Sequence, residues 1–102
     1  MRTIVLLKHI ESKIILAEYF KDEDEVIKWW WRFPCSDEWE FIYQGESKRS
    51  GHRYELKYSK FDECGKLYSK YIICHSKKES LLLKRKINEA NSSYMITIKK
   101  LY

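Results

Sequence analysis

His52 and His75 are the side chains of this 102-residue sequence best suited to acid–base chemistry. Imidazole titrates near neutrality, so a facing pair flanked by Lys or Arg can give and take a proton, as RNA cleavage requires. Alternation in the residues between them predicts a hairpin that sets both at one end of the same sheet face. No nucleophile elbow, P-loop or paired-carboxylate motif accompanies them. A metal built from Cys64, Cys74 and His75 is the other chemical option. Its C-x9-C-H spacing matches no zinc knuckle, and adjacent residues of a strand point to opposite faces. Cys74 therefore reads as a buried structural thiol. No cofactor and no metal are expected, and the chain reads as non-catalytic.

Binding chemistry is better represented. Lys48, Arg49, His52 and Arg53 crowd the loop "GESKRSG" and the residues after it. Lys77, Lys78, Lys84 and Arg85 spread over about 120° of a predicted helix, with Leu81 in the middle of their arc. A basic face with an apolar centre can dock on a phosphate backbone or on an acidic protein. No RNP signature, GXXG loop or finger spacing marks a nucleic-acid module.

The third candidate lies in "KWWWRFP", residues 28–34. On a helical wheel Val26, Trp29, Trp30, Phe33 and Ile27 form one apolar stripe. Lys28 and Arg32 fall opposite, and Trp31 falls at the border. Trp31 is either the rim of the core or an exposed aromatic of the kind that anchors interfaces.

These residues need a scaffold, and the chain can build one. It is 44% hydrophobic and 16% aromatic, enough for a packed core in a single domain over residues 1–102. Thr3–Ile10 and Lys13–Phe20 read as a hairpin around Glu11-Ser12. Asp22 with Glu25 is a capping box that opens a helix ended by Pro34. The acidic run Asp22–Glu25 complements the helix dipole. Trp39–Tyr43 alternates as a strand. His52–Phe61 and Lys66–His75 form a second hairpin around Asp62-Glu63-Cys64-Gly65. Tyr54, Leu56 and Tyr58 are expected to share a face with Leu67, Tyr71 and Ile73, unless a bulged turn shifts the register. Ser76 with Glu79 opens a helix to Ala90, and Tyr94–Lys100 is a last strand. The order ββαβββαβ implies an α+β fold, a mainly antiparallel sheet with two helices packed on one face.

Charge is uneven along the chain. Residues 1–46 hold 6 Lys/Arg and 10 Asp/Glu, whereas residues 47–102 hold 14 and 5. No apolar run reaches the roughly 18 residues of a membrane span. Residues 1–13 lack the apolar core and cleavage site of a secretory leader. Three cysteines without C-x-x-C fit a reducing compartment, so the cytoplasm is the expected location. The expectation is a binding module for a protein partner, with nucleic acid the alternative and a two-histidine ribonuclease the third reading. A homodimer is compatible with the sequence, and no membrane partner is expected.

Overall fold

The computed structural model of the chain describes residues 2–48 and 51–101. Its elements are β1 (Arg2–His9), β2 (Ile15–Phe20), α1 (Glu23–Arg32), β3 (Trp39–Ser47), β4 (Tyr54–Phe61), β5 (Leu67–Cys74), α2 (Lys77–Ala90) and β6 (Met95–Lys100). A single 3-10 turn, Ser36–Glu38, precedes β3. This is an α+β fold in the order ββαβββαβ. The strands divide between two antiparallel three-stranded sheets, β2-β1-β3 and β5-β4-β6. Contacts group the chain into two compact units, Met1–Lys48 and Arg49–Tyr102. Each unit taken by itself follows one path. A hairpin leads into a helix, and a third strand then returns antiparallel to the first, which becomes the centre of the sheet.

In the first unit, Asp22 accepts a hydrogen bond from the Glu25 N–H at 2.9 Å and so caps α1. Phe33, forced out of helical geometry by Pro34, closes it with φ −70° and ψ 117°. On the α1 side the buried centre is Val5, Leu7, Phe20 and Val26, with Leu16, Trp29, Trp30 and Trp39 packed against it, and Ile4, Leu6 and Ile15 are buried on the other face of the sheet. A run of ring contacts extends that centre. Phe20 meets Trp29 at 4.9 Å, Trp29 meets Phe33 at 4.8 Å, and Trp30 meets Phe41 at 4.5 Å. Phe33 then meets Trp39, and Trp39 meets His9. Trp29, Trp30 and Phe33 thus join the core as their wheel positions require. Ile27 does not; it is exposed, at the stripe's edge where the sheet no longer reaches.

Two features of this unit escaped the alternation pattern. The loop begins only at Lys48, because Gly45, Glu46 and Ser47 continue β3 alongside Ile4, Thr3 and Arg2. The β1–β3 register also shifts between Leu6 and Leu7, leaving Ile42 as a bulge. Trp39 and Phe41 therefore share the α1 face with Leu7, while Tyr43 turns to the other face with Leu6.

In the second unit, Asp62 organises the hairpin. Its Oδ1 accepts from the N–H groups of Cys64 (2.9 Å) and Lys66 (2.8 Å), and Gly65 adopts φ +79°. That left-handed residue is the extra bulged one, so Phe61 pairs with Leu67 and Leu56 with Ile72. The expected face sharing is corrected accordingly. Tyr54, Leu56 and Tyr58 face α2 together with Cys74 and Ile72, whereas Leu67, Tyr71 and Ile73 share the far face with Glu55, Lys57 and Ser59. Leu83 and Ile87 of α2 are fully buried, as are Leu56 and Cys74. Tyr94 closes the end of this core against Tyr58 at 5.3 Å.

Candidate basic groove

The register that seats the core also sets a groove between α2 and the β6 edge of the second sheet. Tyr54 pairs with Lys100 and Leu56 with Ile98, so Tyr54, Ile98 and Lys100 all point to the α2 side. From the helix, Lys77, Leu81 and Lys84 lean over the same space, one turn apart as i, i+4 and i+7. These six residues line an open groove of ≈ 590 Å³. Its rim carries three ammonium groups and its walls carry Leu81, Ile98 and the Tyr54 ring. Leu81 is 50% exposed, an apolar residue presented at the surface. A smaller hollow adjoins on the helix, where Lys84, Arg85, Asn88 and Glu89 surround the other flank of Leu81.

Local electrostatics reinforce the positive sign. Ser76 caps α2 through the Glu79 N–H at 3.1 Å, and the Glu79 carboxylate accepts from the His75 N–H at 3.0 Å. The uncompensated N–H groups of a first helical turn carry a partial positive charge. Lys77 and Lys78 add full charges in that same turn, and no cation occupies the last turn to balance the other end. Arg85 pairs with Glu89 at 3.8 Å on the exposed side, a contact of little energetic weight.

A hollow in the first unit occupies the matching position, with the opposite sign. Thr3 stands in β1 where Tyr54 stands in β4, because each pairs with the residue two before the helix cap. Across the sheet Thr3 meets Glu46 and Tyr54 meets Lys100. The first helical residue is Glu23 in α1 and Lys77 in α2. Thr3, Asp22, Glu23, Gln44 and Glu46 contribute to this hollow of ≈ 430 Å³, with Arg2 and Lys21 also on its wall. Its lining includes no large apolar side chain of the kind that Leu81 and Ile98 provide.

The remaining expected site residues are dispersed. Trp31 is 84% exposed, on the flank of α1 one turn from exposed Ile27. Lys78 is exposed at the start of α2 and does not line the groove. Lys48 is exposed at the end of the first unit, and Arg49 lies outside the described residues. Arg53 is half-buried; its carbonyl accepts from the Leu101 N–H at 2.8 Å and fastens the end of β6 to β4. Tyr54, Ile98 and Lys100 were not singled out by sequence, because only the pairing of β4 with β6 brings them under α2.

The two histidines do not meet on one face. Tyr54 faces Cys74, so His75 corresponds to Arg53, and His52 lies one residue further with the opposite parity. His75 is buried and His52 exposed. Cys74 is buried, and Cys64 is exposed in the hairpin turn. Among the described residues no three His, Cys, Asp or Glu side chains gather as a metal site. Nor does any described helix have the length and apolar character to cross a membrane. Comparison with protein-family models, with curated proteins and with solved structures finds no match to this chain.

Proposed function

We propose that this chain is a non-catalytic binding module whose second unit docks on an acidic protein partner through the groove of Lys77, Leu81, Lys84, Tyr54, Ile98 and Lys100. One observation carries the reading: three lysines converge over an apolar wall, and one of them occupies a helical first turn where a cation costs stability. An anion seated there would offset that repulsion. The exposed Leu81 and Ile98 side chains favour a partner that brings apolar groups as well as carboxylates. Trp31 and Ile27 form a second exposed apolar contact on the first unit, the kind of aromatic anchor interfaces use.

Nucleic acid is the second reading. The observation in its favour is the charge of residues 49–102, which hold 13 Lys/Arg against 5 Asp/Glu, with Tyr54 available for stacking. Anisotropy titrations with labelled polyglutamate and with a labelled single-stranded oligonucleotide of equal charge separate the two. The protein reading expects polyglutamate to bind and the double variant Lys77→Glu/Lys84→Glu to weaken it by about tenfold or more. No polyglutamate binding at low salt, or tighter binding of the oligonucleotide with a steep salt slope, would overturn it.

A further inference from the structure

The groove has a strand for one wall, and that strand is at the edge of its sheet. β6 pairs with β4 without a register shift from Met95 to Lys100. It contains no proline and no bulge, two devices by which edge strands are commonly blunted. Its burial alternates, with Ile96 and Ile98 half-buried and Met95, Thr97 and Lys99 exposed.

The orientation of its backbone follows from one hydrogen bond. The Leu101 N–H donates to the Arg53 carbonyl at 2.8 Å, so Arg53 and Leu101 form a hydrogen-bonded pair. In an antiparallel ladder such pairs recur every second residue, and the residues between direct their N–H and C=O groups the other way. Lys99, Thr97 and Met95 therefore direct theirs to β4. Ile96, Ile98 and Lys100 direct theirs outward, along the open edge. These are also the residues whose side chains point to α2. Two of these residues, Ile98 and Lys100, also line the groove.

We propose that the ligand of this groove is an extended acidic segment that adds to β6 as a fourth, antiparallel strand. The inference rests on the docking reading above and specifies its mode. Ile96, Ile98 and Lys100 would supply the main-chain hydrogen bonds, the general source of affinity in strand addition. In an antiparallel ladder the added residues that bond to them place their side chains on the same face. Those side chains enter the groove under α2. There they meet Lys77, Lys84 and Lys100, so carboxylates at alternate positions are selected. Leu81 and Ile98 supply apolar contact for the stems of those side chains. A globular acidic surface has no free strand to offer and would engage only the lysines.

The probe is a ten-residue peptide alternating Glu and Thr, labelled for anisotropy and used with the full chain. Two further peptides carry backbone N-methyl groups, one on every Glu and the other on every Thr. Methylation removes a donor and blocks the edge it faces, while leaving side-chain charge unchanged. The Glu-methylated peptide is expected to bind at least about tenfold more weakly than the parent. The Thr-methylated peptide is expected to match the parent, since its methyl groups point away from β6. Lysine-dependent binding that is equal for all three peptides, or weakened equally by both methylations, overturns strand addition and leaves the docking reading standing. A loss confined to the Thr-methylated peptide overturns the antiparallel arrangement. No binding of the parent peptide while polyglutamate binds also overturns strand addition. Failure of both probes removes the docking reading with it.

Discussion

α1 and α2 begin the same way and then diverge. Each follows the second strand of a hairpin, and each is capped by a short polar side chain, Asp22 or Ser76. α1 places Glu23, Asp24 and Glu25 in its first turn and Arg32 in its last. Every one of those charges lowers the energy of the helix dipole. α2 places Lys77 and Lys78 in its first turn and no cation in its last. The difference separates a helix whose terminal charges all serve its own stability from one in which Lys77 and Lys78 oppose the dipole and only Glu79 favours it. The proposed docking of an acidic segment on α2 would offset that local cost.

The units also differ in how they make a core. Under α1 the first packs partly buried tryptophans around Val5, Leu7, Phe20 and Val26, with Val26 the buried residue of the helix, whereas under α2 the helix itself buries Leu83 and Ile87. The largest predicted effects test this contrast. Leu83→Ala, which opens a cavity under α2, should destabilise by about 2–5 kcal/mol in urea denaturation. Trp29→Ala, at the junction of Phe20 and Phe33, should cost about 3 kcal/mol. Trp31→Ala should stay within about 0.5 kcal/mol. A Trp31 effect as large as that of Trp29 would break the division of the tryptophan triplet into core and surface.

Gly65→Ala comes next. It forces a side chain into φ +79° and should cost about 1 kcal/mol, because the position requires a left-handed residue. Smaller again are the paired reversals Lys77→Glu and Glu23→Lys. The first should stabilise by about 0.3–1 kcal/mol and the second should destabilise by a similar amount at low salt. Equal signs from the two would remove the contrast between the helices.

The smallest effect is alkaline. Burial pushes the Tyr68 hydroxyl above its ordinary value of 10.0. The folded state then holds this proton more tightly than the unfolded chain does. Its contribution is complete below pH 10 and is lost as pH rises through the folded value. Tyr68→Phe should flatten the fall in stability above pH 10, read from denaturation midpoints across that range.

How much of this was legible in the sequence follows from which interactions are local. Both helices, their caps and the stop at Pro34 were readable, because capping and proline act within four residues. The face of each strand was less so. Gly65 and Ile42 each insert one residue, and one residue is enough to turn the rest of a strand over. The basic arc of α2 was visible as spacing, and Lys77, Leu81 and Lys84 do meet. Tyr54 is some forty residues from Ile98 and Lys100 and meets them only through β4–β6 pairing. Spacing along one element cannot encode that encounter. Trp31 sat at a wheel angle that either outcome satisfied, and the reach of the sheet decided it.

The bulge at Ile42 gives β3 two reading frames. From Trp39 to Phe41 the odd-numbered residues serve α1; from Tyr43 to Ser47 the even-numbered ones do. Tyr43 lies over the bare Cα of Gly45 on the other face, leaving no room there for a side chain. Deleting Ile42 would join the frames into one. Phe41 and Tyr43 would then stand next to each other opposite Leu7 and Leu6, while Gln44 and Glu46 would keep their places opposite Val5 and Thr3, so the acidic hollow would keep its strand wall.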